Sequence, residues 1–254
     1  MNTITFNKLP IFEIIFGVEF ETISFSSAYL GLYWETIKDR FPETEDQSGN
    51  FEDETSLFGN SVSVVSFANF ESDRLIKFSN SSFLYSYIRP NDDNNIDFKD
   101  ILQEFIDEWH NFKSWYSKLY LDDEPLLLNL KSYNFNFVCL IDKDLEWSTP
   151  KDNPKIFKFI NNIEELDNEL ELFDFKLMLR LPNSLGVVHI SSEQRIRLED
   201  ESMVKFLILS SKSMEEFIYD DDDFNLSDWL TSIYEYNLEY LMKLTTEKLQ
   251  EKWR

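Results

Sequence analysis

Glycine is scarce in this chain of 254 residues, occurring only at Gly17, Gly31, Gly49, Gly59 and Gly186. A backbone that wraps a phosphate needs several small residues close together, so a Walker loop and a dinucleotide fingerprint are both absent. Cysteine occurs once, as Cys139, which excludes an internal disulfide and fits a reducing compartment. Histidine occurs twice, as His110 and His189. Neither has a Cys or a second His at ligand spacing, so neither a zinc site nor any other metal or cofactor is expected. Positive charge is also short: 24 Lys and Arg face 48 Asp and Glu, for a net charge of −24. Direct binding of nucleic acid or an anionic bilayer would oppose that field, and a basic protein or a cation is the better partner. No apolar run approaches the roughly 18 residues that span a membrane. The opening MNTITFNKLP has neither the basic nor the apolar region of a signal peptide. The expectation is a soluble, cytoplasmic protein without a membrane partner.

What the chain has in quantity is core-forming material, 43% hydrophobic residues with 24 Phe, 11 Tyr and 6 Trp, enough for one large domain or two small ones. From Leu9, LPIFEIIFGVEFET alternates with a strand's period of two. Phe12, Ile14, Phe16, Val18 and Phe20 fall on one face, and Glu13, Glu19 and Glu21 on the other. YLGLYWETIKDRF follows with helical spacing of Leu30, Tyr33, Trp34, Ile37 and Phe41, stopping at Pro42. Residues 43–59 are acidic and polar and read as a surface loop. SVSVVSFANF, RLIKFSN and FLYSYIRP read as strands. Phe98, Ile101, Leu102, Phe105, Ile106, Trp109, Phe112, Tyr116 and Leu119 mark a long helix, and PLLLNLKSYNFNFVCLID a long strand.

The second half carries Pro150 and Pro154 and a short helix near NNIEELDNELELF. Three strands are expected next: FDFKLMLRLP with Phe173, Phe175, Leu177, Leu179 and Leu181 inward, then LGVVHISS, then MVKFLILSS. LSDWLTSIYEYNLEYLMKLTTEKLQEKW closes the chain as one long helix with the stripe Leu226, Leu230, Ile233, Asn237, Tyr240, Leu241 and Leu244. The fold class is α+β: antiparallel or mixed sheets, two long helices on one face, and two halves of split β-α-β outline. The halves are 1–142 and 143–254, either separate or one continuous domain.

Two groups of polar residues are candidate sites. Asp220, Asp221, Asp222 and Asp223 precede the last helix, with Asn225 as its expected N-cap. Carboxylates there suit the positive end of the helix dipole, and the run also serves as an acidic docking patch for a basic partner. It is not an EF-hand, because counting from Asp220 the sixth and twelfth positions hold Asn225 and Thr231 where Gly and Glu are required. The second group is Glu13, Glu19, Asn134, Asn136, Lys176, Arg180 and His189. Each lies opposite the hydrophobic side of its strand, so together they predict one polar sheet surface, either solvated and self-paired or holding a ligand. No G-x-S-x-G elbow occurs, and Cys139 shares its strand face with Tyr133, Phe135 and Phe137 as a core thiol, so no catalytic residue is assigned.

LPIFEIIFGVEF, the helix ending in KDRFPETED, RLIKFSNSSFLYSYIRP, IDFKDILQEFIDEW and the last helix with Trp229, Thr246 and Trp253 together resemble a sporadically distributed, uncharacterised bacterial family of similar length. The chain departs from that pattern where Leu9-Pro10 replaces two prolines and Tyr234 replaces a His. The resemblance implies no catalytic residues, and by association a mobile-element or defence-linked role. The functional expectation is a non-enzymatic acidic binding or regulatory protein, of antitoxin, immunity or defence type, acting through a protein partner. A DNA mimic, and a ligand-binding protein or enzyme using the polar sheet face, are the alternatives, and a homo-oligomer is compatible with each.

Overall fold

Alternating side chains make Ile11–Phe20 a strand (β1) with one apolar face, and this first strand sits inside the sheet. The computed structural model describes residues 9–23, 27–47, 64–90, 97–121, 124–125, 128–160, 170–198, 200–214 and 223–253. The other strands of the main sheet are β2 (Glu43–Gln47), β3 (Val64–Ala68), β4 (Arg74–Phe78), β5 (Ser82–Ile88), β8 (Leu130–Ile141), β9 (Phe175–Arg180), β10 (Val187–Ile196) and β11 (Met203–Lys212). A small ribbon of β6 (Tyr120–Leu121) and β7 (Glu124–Pro125) precedes β8. The nine strands run in the order β2-β3-β4-β5-β1-β8-β11-β10-β9, every pair antiparallel. Pairing of β8 with β11 carries the sheet without interruption past residue 142.

The helices are α1 (Ser27–Ile37), α2 (Phe98–Tyr116), α3 (Asn153–Ile156), α4 (Asp223–Leu244) and α5 (Glu247–Glu251). The α+β class is as expected, with α2 and α4 laid on one face of the sheet. Asp97 starts α2 by accepting from the Lys99 N–H, and the apolar stripe Phe98, Ile101, Leu102, Phe105, Ile106, Trp109, Phe112 and Tyr116 is buried. Phe105 stacks on Phe16 of β1 at 5.0 Å, and Phe98 stacks on Tyr234 of α4 at 3.8 Å. The two helices and the sheet therefore meet in one continuous aromatic layer. Cys139 is in that layer, fully buried.

Several expectations are corrected. Phe12 does not join the helix-side face. Ile11 pairs with Cys139 and Glu13 with Val138, so Phe12 is the extra residue of a β-bulge. Its ring turns to the opposite face, 6.0 Å from Phe206, and Ile11 takes the core position. Glu43–Gln47 is strand, not loop: an acidic sequence is tolerated because β2 is an edge whose one strand partner among the described residues is β3. The last helix is two. Thr245 leaves the helical path with its hydroxyl donating to Leu241 O, and Thr246 caps α5 through Leu249 N. Asn225 is not the N-cap, since α4 already begins at Asp223. Leu177 and Leu179 face the helix side but are each 37% exposed, because β9 is the far edge of the sheet. Of the expected helix at 161–173, residues 161–169 lie outside the described residues, and 170–174 are neither helix nor strand.

Candidate functional site

A concavity of about 410 Å³ lies where the end of α1, the flank of α2 and the β3–β4 turn converge. Its lining is Arg40, Phe41, Asn69, Glu71, Asp73, Arg74, Tyr85, Glu104, Asp107 and Glu108, five carboxylates against two guanidinium groups. The i, i+4 spacing of Glu104 and Glu108 puts both on one side of α2. Pro42 follows the turn that ends α1, which delivers Arg40 to Glu108 at 2.8 and 2.9 Å through two parallel N–H donors. On β4, Arg74 faces the helix side and donates to Glu104 at 2.6 and 3.2 Å and to Asp73 at 2.8 Å, with its guanidinium 4.4 Å over the Tyr87 ring. The turn before it is built by Asn69, whose side-chain oxygen accepts from the Asp73 and Arg74 amides, while Ser72 takes a positive φ.

The electrostatics are those of fixed pairs. Burial alone would raise the Glu104 carboxyl, but hydrogen bonds from Arg74 and the Tyr85 hydroxyl outweigh it and hold the group below its ordinary value. Burial, reinforced by Glu104, pushes the Tyr85 phenol upward, and burial followed by Glu108 does the same to Tyr33. A carboxylate held down in this way binds and does not shuttle protons near neutral pH. Its stabilising contribution is complete above the ordinary carboxylate value of about 4.5 and is lost as pH falls through the depressed folded value. Glu104→Gln should therefore lower the melting temperature at neutral pH and flatten the acid limb of the stability profile. Because the side chain is part exposed, the neutral-pH loss is about 1 kcal/mol; a pH-stability curve parallel to wild type would show that the pair contributes nothing.

All seven residues of the expected polar surface lie on the face away from α2 and α4, as the strand registers require. The structure divides them in two. In the middle, Glu13 accepts from Ser86 at 2.5 Å, Glu19 from Ser132 and Lys212 at 2.6 Å each, and Asn136 from Ser210 at 2.6 Å. Asn134 is buried beside Gly17 with its amide nitrogen unpaired. At the side, Lys176, Arg180 and His189 are exposed on β9 and β10; His189 stands opposite Met178 and Arg180 opposite Val187. Glu13, Glu19 and Asn136 are satisfied by neighbouring Ser and Lys side chains, the Asn134 amide nitrogen is not, and the lateral three form an exposed strip. Asp220, Asp221 and Asp222 lie outside the described residues, and Asp223 opens α4.

Sequence reasoning missed the paired pocket, whose partners are 68 and 30 residues apart. The one local signal was Glu104 and Glu108 flanking the α2 stripe. It also missed Lys205, fully buried on the helix side of β11. There the ammonium donates to Phe173 O, lies 3.5 Å from Asp174 and stands 5.5 Å from the Trp147 ring; burial lowers its pKa despite Asp174. Among the described residues no group of three or more His, Cys, Asp or Glu is arranged to hold a metal ion, and no helix is long and apolar enough to cross a membrane. No family model matches the chain, and no curated protein matches it.

Proposed function

We propose that this is a non-enzymatic acidic binding protein that holds a basic segment of a protein partner in the pocket between α1, α2 and the β3–β4 turn, as an antitoxin, immunity or defence-system component would. The carrying observation is the excess of five carboxylates over two guanidinium groups in a preformed 410 Å³ concavity, on a chain of charge −24. Both arginines are already engaged by Glu104, Glu108 and Asp73. A Lys or Arg entering the pocket meets the remaining acceptor capacity of Glu71, Asp73 and Asp107, whereas an anion meets repulsion.

Titration with a short arginine-rich peptide tests the site. Glu71→Gln with Asp107→Asn should weaken binding roughly tenfold, about 1.4 kcal/mol. Asp228→Asn with Glu235→Gln, exposed on α4, removes the same charge elsewhere and should change it little. Equal losses in the two variants would mean that the overall field, and not this pocket, attracts the peptide.

A further inference from the structure

The two edges of the nine-stranded sheet differ in kind. At one, β2 reads Glu43-Thr44-Glu45-Asp46-Gln47, and the exposed Glu43 and Glu45 carboxylates repel an approaching strand of this acidic chain. At the other, β9 reads Phe175-Lys176-Leu177-Met178-Leu179-Arg180: it has no acid, and Leu177 and Leu179 are each 37% exposed and Met178 68% exposed. Among the described residues β10 is its only strand partner. The Leu181 N–H donates to Gly186 O at 2.9 Å, which sets the phase of the β9–β10 ladder. By the alternation of antiparallel pairing, Phe175, Leu177 and Leu179 turn their backbone groups toward β10, while Lys176, Met178 and Arg180 turn theirs outward. An apolar edge with outward N–H and C=O groups is a template for another strand.

We infer that β9 is a self-association edge, at which a second copy of this chain adds its own β9 antiparallel about a two-fold axis centred on Leu177. An axis perpendicular to the sheet keeps the helices of both copies on one side, so each residue meets a residue of its own face. Centred on Leu177, it sets Leu177 against its symmetry mate, Phe175 against Leu179 and Met178 against Lys176. The helix-side face of the junction is then apolar throughout, extended by Phe159, which packs 5.1 Å from Phe175 and is itself 47% exposed. Neighbouring registers bring like charges together: centring on Met178 opposes Arg180 to Lys176, and centring on Lys176 opposes two ammonium groups, which is unfavourable across strands. The chosen register also joins the outward backbone groups of Lys176 and Met178 as hydrogen-bonded pairs and leaves Leu177 in a non-hydrogen-bonded pair, with Cα atoms about 4.5 Å apart. The contact is isologous and closes as a dimer, whereas β9 on the β2 edge of a second copy would propagate as a filament.

Light scattering on the full chain reads the result. Wild type should weigh twice 30.4 kDa across the micromolar range. Met178→Pro removes an outward N–H that β10 does not use, and should give a protein of single-chain mass with an unchanged circular dichroism spectrum. Leu177→Cys brings two thiols within disulfide reach across the axis and should cross-link on mild oxidation. Met178→Cys places them one register step apart and should not; the native Cys139 is buried and takes no part. Single-chain mass for wild type at all these concentrations, open-ended assemblies, or cross-linking at residue 178 as readily as at 177 would each overturn the inference.

Discussion

Phe112→Ala should lower the stability of the protein by about 3–5 kcal/mol, read as a lower denaturant midpoint with unchanged slope. The ring is fully buried at the point where α1, α2 and the sheet converge. It stands 5.0 Å from Phe78, 5.2 Å from Phe83, 5.4 Å from Tyr33, 5.7 Å from Trp109 and 6.2 Å from Phe20. Rings of this size cannot slide into the space left by one of their number without leaving their rotamers, so the cavity persists and the cost includes lost dispersion contacts. At this chain length the melting temperature should fall by roughly 6–20 °C. Phe70→Ala, at a side chain 75% exposed, is the control and should change little. A Phe112→Ala loss below about 1 kcal/mol would mean that the cluster repacks and is not the rigid centre described.

Gly186→Ala should be comparably severe, at about 3 kcal/mol or more, for a backbone reason. Gly186 has φ +132°, and a Cβ built there falls 1.9 Å from the carbonyl oxygen of Lys212, with Ser213 Cα at 3.0 Å. The obstacle is the backbone of β11, which cannot rotate away as a side chain does. Moving it would disturb the β10–β11 ladder at Val187–Lys212 and the Leu181–Gly186 bond that closes the β9–β10 turn. Gly17 offers the contrast: a Cβ there meets Leu84 Cδ2 at 2.6 Å, the mobile end of a side chain, so Gly17→Ala should cost less. Thermal melts of the two variants give the ordering, and a Gly186→Ala protein as stable as Gly17→Ala would contradict the positive φ.

The strands that could be read from the chain are those with one apolar side. From Glu13 onward β1, and from Tyr133 onward β8, keep one side apolar because that side meets the helices, and Phe16 and Phe135 announce it in the sequence. Phe12 misled because a bulge inserts one residue without altering the local pattern; only the partner strand reveals it. β2 misled for the opposite reason: an edge strand takes its backbone bonds from β3 and needs no apolar side chains, so ETEDQ carries no strand signal. The break at Thr245 was concealed by a hydrophobic stripe that continues through Leu249 and Trp253, both buried. The polar sheet face was legible as a face, since parity along a strand fixes it. Which of its members pair with each other was not, because Glu19 finds Lys212 across 193 residues. The Arg40–Glu108 and Arg74–Glu104 pairs were illegible for the same cause: pairing at long range leaves no spacing to recognise.

The position of β1 between β5 and β8 also sets a schedule for biosynthesis. The ribosome delivers residues 11–88 first, enough to assemble β1 with β5, but the other side of β1 has no mate until Leu130–Ile141 emerges. At roughly 5–20 residues per second, the nascent chain carries that open hydrogen-bonding flank for several seconds. During this time the bare ribbon of Ile14, Phe16, Val18 and Phe20 is sheltered only by whatever of α2 has already formed.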